Sequence, residues 1–90
     1  MASTVRELVL YMKPGCHLCH NADAMLQELQ TALAFTYRSV DITLDAVLYD
    51  RFREDIPVIE LEGRVLLSAP IGPATAHKVL AMHLDPVERP

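Results

Sequence analysis

The sequence predicts an α/β fold in which helices pack on the faces of one small mixed sheet, in the order β-α-β-α-β-β-α. Three observations predict it. The near-continuous apolar run Leu8-Val9-Leu10-Tyr11 reads as a strand buried on both faces, as in a parallel sheet. Leu18, Ala22, Met25, Leu26, Leu29 and Leu33 then recur at helical spacing, with Asp23, Glu28 and Gln30 on the other side. Two short apolar runs, 57–61 and 64–67, flank Glu62-Gly63 and read as a hairpin. A strand–helix–strand unit of this length requires a parallel pair with a right-handed crossover, and the hairpin adds antiparallel strands to the same sheet.

Taken in order, the first strand spans Glu7 to Met12, and Pro14-Gly15 makes the turn after it. The first helix runs from His17 to Leu33. Phe35 to Ile42 alternates between two sets of side chains: Phe35, Tyr37 and Ser39 on one face, Thr36, Arg38 and Val40 on the other. Thr43 suits the N-cap of a second helix ending near Arg53, with Leu44, Val47, Leu48 and Phe52 turned inward. The Glu-Gly connection of the hairpin is less typical than Asn-Gly and leaves the turn type open. Pro73 fits the first position of a last helix reaching Leu84, and Pro86 and Pro90 mark a frayed tail over 84–90. Residues 1–90 are enough for one domain with a small core.

A hydrophobic fraction of 51% and a charged fraction of 22% are ordinary for a globular chain and exclude a disordered or collagen-like one. The net charge of −4 offers no basic stripe, which argues against a nucleic-acid partner. No run approaches the roughly 18 apolar residues of a membrane span. Residues Met1 to Glu7 lack the basic and then apolar regions of a signal peptide, so a cytoplasmic monomer is the expectation.

Cys16 and Cys19 are the only cysteines, spaced Cys-x-x-Cys where the first strand meets the first helix. The opening amides of a helix lack intrahelical partners, and the macrodipole adds partial positive charge there. A Cys16 thiolate accepting those amides is expected to titrate below the roughly 8.5 of free cysteine, with Lys13 and His17 close in sequence to add charge. Cys19, one turn later on the same face, is placed to close a disulfide and release what Cys16 has captured. As a staple that bridge contributes little, about 2 kcal/mol against about 4.7 for a 100-residue loop. Two inert buried thiols remain an alternative. So does zinc, because His17 and His20 flank the pair, although a structural site needs four ligands and no second Cys-x-x-Cys exists. His20 reads as a solvated helix residue, His77 and His83 as structural or exposed. Arg51 and Arg53 read as a solvated helix face, and the methionines as core fillers, with Met12 beside the site.

Tyr11 to Cys19, Val40-Asp41-Ile42 and Ile56 to Gly63 together resemble the glutaredoxin branch of the thioredoxin-like superfamily, most closely the small bacterial glutaredoxin-like proteins with a Cys-His-Leu-Cys motif. The resemblance covers nearly the whole chain. It implies a thioredoxin-like fold of glutaredoxin type, with Cys16 as nucleophile, Cys19 as resolving thiol, and a cis peptide between Ile56 and Pro57 packed beside the sulfurs. Lys13 matches the pattern of glutathione-using members. Glu54 and Asp55 stand where a basic residue is usual, and Ser68-Ala69-Pro70-Ile71-Gly72 replaces a Gly-Gly turn. The expected activity is dithiol–disulfide exchange with a protein disulfide rather than glutathione, using an external thiol reductant and no cofactor beyond the Cys16–Cys19 pair. The alternative is a non-catalytic thioredoxin-like module whose cysteines sense redox state or bind metal.

Overall fold

In the computed structural model, which describes residues 5–87, strand β1 (Arg6–Met12) lies inside a four-stranded sheet of order β2-β1-β3-β4. Helix α1 (His17–Leu29) carries the chain over to β2 (Phe35–Asp41), which pairs parallel to β1 with Met12 opposite Asp41. After α2 (Ala46–Phe52), strands β3 (Val58–Leu61) and β4 (Arg64–Ser68) form the antiparallel hairpin, and α3 (Pro73–Ala81) follows. β3 also pairs antiparallel to β1, with Val58 opposite Tyr11. The mixed sheet expected from the sequence is therefore present.

Strand alternation divides the core in two. Leu8 and Leu10 pack with Ala22 and Leu26 of α1 and with Ala76 and Leu80 of α3. Val9 and Tyr11 face the other way, onto Ile42, Phe52, Ile56 and Val58. Helices α1 and α3 thus cover one face, and α2 the other.

Strand direction decides what meets at the end of β1. The loop to Cys16 leaves Met12 beside Asp41 at the end of β2. Ile56-Pro57 enters β3 there, and Ala69-Pro70 leaves β4 beside it, because Val58 pairs with Ser68. Segments distant in sequence converge on the cysteines through register alone.

Several boundaries differ from the sequence reading, each for a local reason. α1 stops at Leu29 instead of Leu33. The Thr31 hydroxyl bonds back to the Glu28 carbonyl, and the chain then turns to pair with its own C-terminal segment. Ala34 N–H donates to Asp85 and Val87 N–H to Ala32, so 84–87 is pinned and not frayed, with Leu84 buried. Pro90 and the segment Met1–Thr4 lie outside the described residues.

Asp45, not Thr43, caps α2: its carboxylate accepts the Val47 and Leu48 amides. Thr43 sits within a 3₁₀ turn, Ile42–Leu44, and both its amide and its hydroxyl donate to Asp41. That turn shifts the helical phase. Leu44 and Val47, expected inward, are 84% and 74% exposed, while Phe52 is buried. Met82 is likewise exposed and fills no core.

The hairpin turn is resolved by its dihedrals. Glu62 at φ 51 and Gly63 at φ 82 are both left-handed, the requirement of a type I′ turn, whose twist matches the strands it joins. α3 opens with Pro73 in its first turn, as expected, but ends at Ala81, not Leu84. No helix among the described residues is long and apolar enough to cross a membrane.

Candidate functional site

Pro14 and Gly15 turn the chain from β1 into α1, with Gly15 at φ 75, a conformation costly for any residue with a Cβ. The turn leaves Cys16 extended at the N-cap of α1, where a side-chain acceptor normally sits. Here the acceptor is sulfur: the Cys19 amide donates to Cys16 Sγ at 3.2 Å. The two sulfurs lie at disulfide-bonding separation, with Cα atoms 5.2 Å apart, inside the span a disulfide needs. Cys16 is half-buried and Cys19 only 3% exposed. The Cys16 side chain is thus partly open to solvent, and Cys19 is covered.

Two clefts involve the first turns of α1, and the cysteines line one of them. One, of about 260 Å³, is lined by Met12, Lys13, Cys16, Cys19, His20, Asp23 and Ser39, among others. The other, of about 320 Å³, is lined by Leu18, Asn21, Ala22, Met25, Pro57, Ala69, Ile71 and Pro73, none of which is ionisable. Of the residues singled out from the sequence, Lys13, Cys16 and Cys19 share the first cleft. Pro57 borders the second, fully buried, while Ile56 belongs to the buried cluster that includes Cys19. The Ile56–Pro57 peptide is cis, and so is Ala69–Pro70, which the sequence did not suggest. His17 is exposed and lines neither cleft.

Leu18, assigned from the sequence to the inward stripe, is 54% exposed between the cysteines. It forms part of the groove wall instead. His20 is exposed, as the sequence reading has it, and it lines the cysteine cleft together with Asp23, which the sequence places on the polar side of the helix. The available signal was spacing: His20 is four residues after Cys16 and Asp23 four after Cys19, and such pairs share a helix face.

Asp23 is held from both sides. The Tyr37 hydroxyl donates to Oδ1 at 2.6 Å and the Gln27 amide to Oδ2 at 3.1 Å. A second tyrosine supports the strand that leads to the cysteines: Tyr11 donates to the buried Glu60 carboxylate at 2.9 Å and stacks on Phe52 with ring centroids 4.6 Å apart. Arg51, expected to be merely solvated, lies over the Phe52 ring at 4.6 Å. Among the described residues no three His, Cys, Asp or Glu side chains gather into a metal-binding group.

Both tyrosines titrate above their ordinary 10.0, through burial first and then through the bonds to Glu60 and Asp23. Each folded pKa exceeds the unfolded one, so the native state keeps a proton that the unfolded chain has lost. The stability they contribute is fully present below pH 10 and is lost as pH rises through the raised values. Urea titrations of the oxidised protein, which removes thiol ionisation, should show a midpoint falling above about pH 10, and less steeply in Tyr11→Phe. A midpoint flat across that range contradicts the two bonds.

A family model described as Glutaredoxin-like domain (DUF836) matches residues 7–84. Solved structures agree with it. The crystal structure of protein XcR50 from X. campestris is 30% identical, covers 83% of this chain and 96% of its own, and superposes with a TM-score of 0.73. The solution structure of protein Ne2328 from Nitrosomonas europaea is 25% identical, with 94% and 98% coverage and a TM-score of 0.81. A malarial protein, 13% identical with a TM-score of 0.60 over 89% of this chain, shares the fold alone.

Proposed function

Because the chain belongs to the glutaredoxin-like domain family, we propose that it is a dithiol–disulfide oxidoreductase acting on protein disulfides. The observation that carries this reading is the arrangement of the two sulfurs: a half-buried Cys16 Sγ at the helix N-cap, accepting an amide, with Cys19 buried at bonding separation. Cys16 thiolate attacks a substrate sulfur and gives a mixed disulfide. Cys19 then attacks Cys16 Sγ and expels the substrate thiol. An external thiol reductant restores the pair, and no cofactor beyond the two cysteines is required. The reducing cytoplasm suits a bridge that turns over, and a monomer suffices because one chain supplies both sulfurs.

The preference for a protein disulfide rests on charge. The groove beside Leu18 and Pro57 has no ionisable wall, which suits an apolar side chain next to a substrate cysteine. Glutathione carries two carboxylates, and the acidic Glu54 and Asp55 stand just before Ile56-Pro57 though outside both clefts; a carboxylate brought within 4 Å of either would be repelled by about 1 kcal/mol in water. Pro70 also removes one amide donor from that end of the sheet.

Steady-state turnover on a protein disulfide and on a glutathionylated peptide, at equal concentration and low salt, tests the reading. The expected result is faster turnover of the protein disulfide, with Glu54→Arg moving the preference toward the glutathionylated peptide by roughly fivefold to tenfold. A clear preference for the glutathionylated peptide in the unmodified chain sinks the substrate assignment.

A further inference from the structure

Resting on that reading of Cys16 and Cys19, we propose that His20 is the acid–base residue of the resolving step. The need for one comes from burial. Cys19 is 3% exposed, so its thiol proton has little direct contact with water, yet it must leave before the sulfur can attack. The cleft that reaches Cys19 offers three titratable side chains besides the cysteines: Lys13, His20 and Asp23.

Two of the three are unsuited. Lys13 is a cation at neutral pH and has no acceptor. Asp23 already accepts from Tyr37 at one oxygen and from Gln27 at the other, so both its oxygens are engaged. His20, solvent-exposed at the mouth of the cleft, carries an imidazole, whose two ring nitrogens let one accept a proton while the other donates. It stands one turn beyond Cys16, with its amide donating to the Cys16 carbonyl at 3.1 Å, and helical side chains lean back toward the N-terminus. Ser39, the polar residue that β2 contributes to the cleft, does not titrate near neutrality.

The step balances without another reactant. Cys16–S–S–R and Cys19–SH become Cys16–S–S–Cys19 and R–SH. The Cys19 sulfur is oxidised and the R sulfur reduced. The thiol proton passes to the His20 imidazole and from the imidazolium to the departing thiolate.

The test uses the reduced full-length chain and the aromatic disulfide bis(3-carboxy-4-nitrophenyl) disulfide, whose coloured thiolate is released once by the attack of Cys16 and once by resolution through Cys19. Stopped-flow absorbance from about pH 5.5 to about pH 8.5 separates the two releases. In His20→Gln the second release is expected to slow at least roughly tenfold at neutral pH and to lose its inflection in the histidine range, with partial recovery in added imidazole. The first release should stay within about threefold, and His77→Gln, on the exposed side of α3, should leave both unchanged. An unaltered second release in His20→Gln, or equal slowing of both releases, overturns the role of His20 alone. If the unmodified chain gives no second release, the oxidoreductase reading falls with it.

Discussion

Cys16→Ser is expected to lose turnover on a protein disulfide by on the order of 1,000-fold or more, because a serine hydroxyl at the N-cap is not a nucleophile toward sulfur. Cys19→Ser should fail differently. Its Cys16 can still attack, so the protein should accumulate as a mixed disulfide with substrate and release little product. Mass spectrometry after a single exposure to substrate distinguishes the two, since one variant carries an adduct and the other does not. Stability does not confound the comparison: both variants lose the same short cross-link, worth about 2 kcal/mol in the oxidised state. An adduct on Cys16→Ser, or equal activity of the two variants, contradicts the division of roles.

Leu80→Ala should destabilise the fold by about 3 kcal/mol, lowering Tm by roughly 10–20 °C, through lost transfer energy and the cavity left behind. Leu80 is fully buried and joins α3 to the cluster formed by Leu8, Leu10, Leu26 and Ile59. α3 and its preceding loop supply Pro73, Ile71 and Ala69 to the groove beside Leu18, so loosening this helix acts on the proposed substrate wall as well as on stability. Leu44→Ala is the control: at 84% exposure it should shift stability by less than about 0.5 kcal/mol. Urea midpoints with an unchanged m-value test both. A cost under about 1 kcal/mol for Leu80 contradicts its place in the core.

The strands, the helix at the cysteines and the hairpin were legible because their signals are local: an apolar run, a helical stripe, a two-residue turn containing glycine. The failures came where short polar side chains compete for the backbone. At Asp41-Ile42-Thr43-Leu44-Asp45 two aspartates each claim amides two or three residues ahead, and the resulting 3₁₀ turn throws Leu44 and Val47 out of phase with the helix they seemed to belong to. The pinned C-terminal segment was invisible because its partner is the loop after α1, more than fifty residues away. Around the cysteines, the pair and its helix start could be read directly. Tyr11–Glu60 and Tyr37–Asp23 could not, since each joins elements whose adjacency only the sheet order sets. Leu18 misled for a related reason: apolar spacing assigns a helix face but not the point where that face leaves the core.

The central claim is that the N-cap position makes Cys16 the reactive thiol, and alkylation rate against pH measures this most directly. With iodoacetamide on reduced Cys19→Ser, which retains Cys16, the rate should follow a pKa at least about one unit below the roughly 8.5 of free cysteine. Reduced Cys16→Ser, which retains the buried Cys19, should label more slowly and only at higher pH. An ordinary pKa near 8.5 and slow labelling at Cys16, or faster labelling at Cys19, would contradict the assignment of the nucleophile.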